Sequence, residues 1–223
     1  MKNDYNFMKN FLGNLLHFLA ALCIIKPYYF ESWGNMLFLV GTCLAFVLYI
    51  LYDVNSVLLK NRFLHSFFTL GTVLLAVSTI GCFLSQWELC RMRRQPIFGL
   101  GLLPGAAGVF LMIRSLFFSL PFDETYLHPQ QKPPVYDGGM YALCRHPGVL
   151  WLCLMYFGLA LSWGTSLCTL LSVAASLLDV LYVIFQDCWT FPRTFSNYGV
   201  YQKSTPFLIP TRESIQKAWR TRK

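Results

Sequence analysis

Gly148-Val-Leu-Trp-Leu-Cys-Leu-Met-Tyr-Phe-Gly-Leu-Ala-Leu-Ser-Trp-Gly164 is followed, after Thr165 alone, by Ser166-Leu-Cys-Thr-Leu-Leu-Ser-Val-Ala-Ala-Ser-Leu-Leu-Asp-Val-Leu-Tyr-Val-Ile-Phe-Gln186. Together the runs contain a single charged residue, Asp179. Runs this apolar, each close to the roughly 20 residues that cross about 30 Å of hydrocarbon, read as transmembrane helices. The short link Ser162-Trp-Gly-Thr-Ser166 makes them the two arms of an antiparallel hairpin. Each arm ends in a polar cluster. Gly139-Met-Tyr141-Ala-Leu-Cys-Arg145-His146-Pro147 precedes the first arm, and Asp187 with Phe195, Tyr198 and Tyr201 follows the second. A hairpin returns both clusters to one membrane face. Arg and His are costly near hydrocarbon, so their presence at this boundary points to function.

Composition agrees with the class. Of 223 residues 56% are hydrophobic, 17% aromatic and 13% charged, with mean hydropathy +0.48. A soluble domain carries about 25% charged residues. The reading is an all-α integral membrane protein with about six transmembrane helices, a C-terminal helical hairpin and a cytosolic tail. The expected spans are about 10–26, 35–52, 66–85, 99–120, 148–164 and 166–186. Residues 1–98 are N-terminal transmembrane helices of unclear role, 99–210 form the core, and 211–223 a basic tail.

The net charge is +8, with much of it in the tail at Arg212, Lys217, Arg220, Arg222 and Lys223. No long basic run interleaves with aromatics, which argues against nucleic acid; retention in the cytosol and attraction to anionic lipid explain the tail. A cytosolic N-terminus satisfies most loops, but Arg91, Arg93 and Arg94 would then lie outside, so the orientation of the first three spans stays open. The N-terminal apolar stretch reads as a first span and not as a cleaved signal. The bilayer is the one partner implied; no protein partner is evident, and a bacterial cytoplasmic membrane and the endoplasmic reticulum are equally compatible.

Eight cysteines occur without a C-x-x-C pair, which fits packing residues and implies no metal or disulfide framework. His17 reads as a packed or hydrogen-bonded core histidine and not as a ligand, and His65 and His128 have no partners at ligand spacing. Asp179 within the sixth span should face a cavity or a partner, with Arg114 one candidate. Tyr198 and Tyr201 read first as an aromatic belt at the interface. The loop 121–138, with Pro129, Pro133 and Pro134, is a linker or a strap over a site.

The sequence Gly139-x-Tyr141-x-x-x-Arg145-His146-Pro147, preceded by Val135, resembles the core motif of the isoprenylcysteine carboxyl methyltransferase family. That family sits in a wider group with the phospholipid N-methyltransferases. The later Asp187, Phe195, Tyr198, Tyr201, Pro206, Ile209 and Pro210 resemble its tail. The resemblance covers roughly residues 100–210. It implies a membrane methyltransferase that uses S-adenosylmethionine and acts on a small or lipid-like acceptor entering from the bilayer. It further implies a cofactor lined by Val135, Gly139, Tyr141, Arg145, His146, Pro147, Gly148 and Asp187, with no catalytic residue assigned and no metal. The chain departs from the pattern at Val149 (a tyrosine in the family), at Cys188 (a second acid) and at Val183 (an arginine where the acceptor is a carboxylate). The last departure implies a neutral or amine acceptor. Two alternatives remain: an NADPH-dependent membrane enzyme of the sterol-reductase type, whose Arg-His-Pro motif is similar, and a non-enzymatic member of the fold.

Overall fold

The computed structural model describes residues 33–92, 98–115 and 133–221, together with scattered positions between 6 and 21. Every regular element among them is helical. In chain order these are α1 (Trp33–Val54), α2 (Arg62–His65), α3 (Phe67–Ser85), α4 (Trp87–Met92), α5 (Phe98–Ile113), α6 (Met140–Leu143), α7 (Pro147–Trp163), α8 (Ser166–Phe185), α9 (Phe191–Thr194), α10 (Tyr198–Ser204) and α11 (Arg212–Arg220). Among the described residues, three continuous helical stretches are long and apolar enough to cross a membrane: Gly34–Leu59, Arg62–Ser85 and Ser166–Thr194. Gly99–Ile113 and Pro147–Trp163 are apolar but shorter. Of the expected first span, positions 10, 11, 13, 14, 17, 20 and 21 are described, and all are helical. His17 is exposed there, against the expectation of a packed side chain.

The chain divides into two compact units, one of Met1–Gln95 with Trp163–Phe185 and one of Pro96–Ser162 with Gln186–Lys223. In the first, α1 and α3 run antiparallel with small residues at their contact. Gly41 faces Ser78, Gly71 faces Ala45 and Tyr49, and Gly81 faces Phe38. Small residues let helix backbones approach, which is how helices associate where no hydrophobic driving force separates them from lipid. The outward positions of these helices are large and apolar: Leu37, Val40, Val73, Val77 and Ile80 are exposed, while Thr42 and Ser78 are buried. Large apolar side chains thus stand both inside, at Leu39, Phe46 and Phe83, and outside, which suits a hydrocarbon surround and would be costly in water.

α1 ends in a π-helical turn, Asn55–Leu59, closed by Lys60 at φ 52°. The buried Asn55 side chain bridges to Asn61, donating to its carbonyl at 2.9 Å and accepting its N–H at 2.8 Å. This holds the tight return into α2. α8 packs on α1 and α3 through Tyr182, which stacks on Tyr49 at 5.5 Å and hydrogen-bonds Asp53. Asp179 lies in the same neighbourhood, within electrostatic reach of Tyr49 and Tyr182. Between α7 and α8 stand only Gly164, at φ 60°, and the buried Thr165, whose hydroxyl accepts the Cys168 N–H at 3.4 Å.

In the second unit α5 and α7 meet across a tighter seam. A Cβ on Gly158 would lie 2.3 Å from the Gly105 nitrogen and 2.6 Å from the Gly101 carbonyl. One on Gly108 would lie 2.5 Å from the Met155 nitrogen. The backbones therefore touch, and only glycine allows it.

Candidate functional site

The site is assembled by three short elements of the second unit. The first is the α6–α7 junction. Gly139 adopts φ 56°, ψ −126°, a conformation that side chains disfavour, and opens the single turn of α6. The chain then extends at Cys144 (φ −158°, ψ 165°) so that Arg145 and His146 project before α7 begins. Pro147 occupies the first turn of α7, where its missing N–H costs nothing and its fixed φ is already helical. The Arg145 N–H is satisfied by the Pro206 carbonyl at 2.9 Å.

The second element follows the apolar run of α8. Pro192 cannot donate to the Cys188 carbonyl and its ring would collide with it in a regular helix. The backbone relaxes into a π-helical turn, Gln186–Thr190, just upstream. Carbonyls in this stretch are taken by side chains: Asp187 O by Gln202 Nε2 at 3.0 Å, Trp189 O by Arg193 Nη1 at 2.7 Å, and Thr190 O by Thr194 Oγ1 at 2.9 Å. The third element, α10, places Tyr198, Tyr201 and Gln202 on one face by their i, i+3, i+4 spacing.

These elements converge on the Asp187 carboxylate, which is buried. Oδ1 accepts from the Tyr198 hydroxyl at 2.5 Å and pairs with His146 Nε2 at 3.1 Å. Oδ2 accepts from Arg145 Nη2 at 3.1 Å and Gln202 Nε2 at 3.1 Å. Arg145 Nε stands 2.9 Å from Oδ1, close enough for ion pairing but misaligned for a hydrogen bond. A carboxylate has about four acceptor directions, and here each is used by the protein. Because Asp187 only accepts, the His146 proton on this side is on Nε2, leaving Nδ1 as the basic nitrogen.

Around this hub the arrangement closes. Arg145 Nη1 donates to the Gln202 carbonyl at 2.8 Å, and its guanidinium lies over the Phe207 ring at 5.5 Å. His146 stacks on Phe191 with centroids 5.7 Å apart and meets Phe207 edge-on at 5.2 Å. Tyr201 donates to the Tyr141 carbonyl at 2.6 Å. Burial holds the His146 imidazole below its ordinary pKa, with Asp187 opposing that shift only in part. Burial, then the neighbouring Asp187 carboxylate, pushes the Tyr198 phenol up; burial also raises Tyr201. The Cys144 thiol is pushed up to about 11 by burial and is correspondingly inert.

Of the residues expected at a site, Arg145, His146 and Asp187 meet directly. Tyr141 joins through its backbone, its ring lying 6.4 Å from Tyr136. Pro147 is buried beneath, and a Cβ on Gly148 would meet nothing within 4 Å, so space opens beside the start of α7. Val135 is tied to the α9–α10 turn through its N–H to Asn197 Oδ1 at 2.7 Å, and Pro133 O accepts the Ser196 N–H at 3.2 Å. The end of the proline-rich loop is thus fastened beside the cluster. Gly139 N–H donates to Thr221 Oγ1 at 3.0 Å, on the tail helix and not on the carboxylate. Tyr198 and Tyr201 are buried, which corrects the aromatic-belt reading; a buried tyrosine hydroxyl needs a partner, and both have one. Gln202 and Phe207 were not expected. The helical spacing of Gln202 from Tyr198 was the one signal that could have found the former.

Comparison with protein-family models, with curated proteins and with solved structures gives no match to this chain.

Proposed function

We propose that the chain is a multi-pass integral membrane enzyme that transfers a methyl group from S-adenosylmethionine to a small or lipid-like acceptor. In this reading six helices cross the bilayer, and the last two form a hairpin with the Asp187 cluster at its cytosolic end. The observation that carries the proposal is the meeting of Arg145-His146 with Asp187, Tyr198 and Gln202 across more than forty residues of sequence. Motifs that resemble two parts of one family's site occupy one place in space.

The residues present suit such a donor in a particular way. Asp187 has no acceptor direction left, so its role is to brace His146, Arg145 and Tyr198. The basic Nδ1 of His146, the rings of Phe191 and Phe207 and the open space at Gly148 are what a ligand would meet. Aromatic faces attract cations such as a sulfonium, and the N-terminus of a helix of α7's length favours a carboxylate. S-adenosylmethionine would supply the activated methyl group. The protein would align the acceptor in line with it and exclude water, which is most of what methyl transfer requires. On the resemblance, Val183 stands in the sequence where an arginine would serve a carboxylate acceptor, so a neutral or amine acceptor is favoured.

A second reading draws on the same saturation of Asp187: a carboxylate wholly occupied by the chain also befits a non-enzymatic member of the fold. Parallel titration of detergent-solubilised protein with S-adenosylmethionine and NADPH separates the readings. Binding of the first, competed by S-adenosylhomocysteine, supports methyl transfer. Binding of NADPH alone replaces it with a sterol-reductase-like activity, and binding of neither leaves the non-enzymatic reading.

A further inference from the structure

The tail helix α11 carries a feature that the site does not use. Its first turn is closed by a capping box, with the Thr211 hydroxyl accepting the Ser214 N–H at 3.2 Å and the Thr211 N–H donating to Ser214 Oγ at 2.9 Å. One face is anchored within the second unit: Lys217 Nζ reaches Asp137 Oδ2 at 2.8 Å, and Thr221 Oγ1 accepts the Gly139 N–H at 3.0 Å. Ile215 and Trp219 lie two residues either side of Lys217, hence about 160° around the helix from it, and next to each other. The anchor therefore turns them outward. Ile215 is 52% exposed, Trp219 75%, and the preceding Ile209 82%.

An exposed Ile–Trp stripe is costly in water, and its surroundings say what covers it. From Lys203 to the end, the chain has six cationic residues and one acid, Glu213. Arg212 and Arg220 are exposed on the helix itself. The helix has nine residues, too few to cross a bilayer, which takes about 20. Short, cationic, and bearing tryptophan on an apolar stripe, it has the character of a helix that lies in the headgroup layer of an anionic membrane. We propose that α11 docks on the anionic leaflet of the bilayer, with Ile209, Ile215 and Trp219 in the acyl boundary and Arg212 and Arg220 at the phosphates. The Thr221–Gly139 hydrogen bond fastens the end of this helix beside the residue that opens α6. The inference rests on the membrane reading and is independent of the methyl-transfer reading.

The test uses the full chain in nanodiscs of phosphatidylcholine, with and without phosphatidylserine. Trp219 is isolated as the fluorescence difference between the parent and Trp219→Phe. The expected result is loss of that difference signal when the lipid is brominated near the headgroup end of its chains, with protection from aqueous iodide. Both effects should strengthen with phosphatidylserine, and the pair Arg212→Gln and Arg220→Gln should remove the phosphatidylserine dependence. Quenching by iodide but not by brominated lipid overturns the proposal. Shielding from both, in a chain that pairs as a dimer, overturns it in favour of a second copy. A chain that washes off membranes in alkaline carbonate overturns the docking and the membrane reading together, whereas a stably inserted chain with Trp219 in water overturns the docking alone.

Discussion

In the first unit, α1 and α3 bury large apolar side chains such as Phe46 and Phe83 together with small polar groups such as Thr42 and Ser78, and leave further large apolar ones exposed. In the second, the buried interior holds an ion pair, an imidazole and a phenol around one carboxylate. Thr42 is satisfied locally by a carbonyl one turn back, at 2.9 Å, whereas Arg145 and Asp187 are satisfied only by residues distant in sequence. Local satisfaction lets a position such as Thr42 tolerate change, although the same unit also holds the long-range Tyr182–Asp53 pair. Long-range satisfaction makes a unit in which one lost partner strands several others.

The largest expected effect tests that contrast directly. Asp187→Ala removes the acceptor of Arg145, His146, Tyr198 and Gln202 at once and leaves a guanidinium largely buried without its anion. Breaking one side of a buried pair costs about 3–5 kcal/mol. Thr42→Ala in the first unit removes a hydrogen bond within one helix and should cost about 1 kcal/mol. Thermal unfolding in detergent should separate the two variants plainly; equal losses would abolish the distinction between the units.

A second comparison sets the two glycine seams side by side. In Gly158→Ala the new methyl would meet the backbone of Gly105 and Gly101 at 2.3 and 2.6 Å, and backbone cannot rotate away. Overpacking of this kind costs about 1–3 kcal/mol. In Gly41→Ala the clash is with the Ser78 hydroxyl, the end of a side chain that can turn. The expected order of melting temperatures is parent, then Gly41→Ala, then Gly158→Ala; reversal would show that Ser78 is locked.

These seams were not legible in the sequence, although Gly101, Gly105 and Gly108 stand at spacings of four and three. Glycines are common in apolar helices, and nothing in one strand of sequence says which partner helix approaches. The all-helical class, with runs long and apolar enough to cross a membrane, and the two polar clusters were legible, because charge placed against long apolar runs is informative by itself. Arg145, His146 and Asp187 could be nominated on that ground. What each does could not: the direction of the Asp187 side chain within the π-helical turn depends on the ring of Pro192, and its commitment to four partners depends on where α10 folds back.

A smaller effect is expected from pH, within the second unit. His146 is held below its ordinary value of 6.5 mainly by burial, so the folded chain binds fewer protons there than the unfolded one. Stability therefore rises with pH wherever the unfolded histidine is protonated. It should be at its plateau above about 6.5 and fall as the medium is acidified below that value. His146→Gln should flatten this part of the profile between pH 5 and 7 in a thermal-shift series. An unchanged profile in the variant would place the titration elsewhere.

The smallest structural effect is expected at Gly148, and it is informative because it is small. A Cβ there meets nothing within 4 Å, and the residue lies in the first turn of α7 where alanine is a better helix former. Gly148→Ala should leave unfolding unchanged or raise stability by about 0.4–1 kcal/mol through the unfolded chain. If the open space beside it receives a ligand, the same methyl group intrudes on that ligand. Affinity for S-adenosylmethionine should then fall while stability holds, a separation that Asp187→Ala cannot give because it damages both. Unaltered affinity together with unaltered stability would remove Gly148 from the ligand's surroundings and leave the rings of Phe191 and Phe207 as the surfaces to test next.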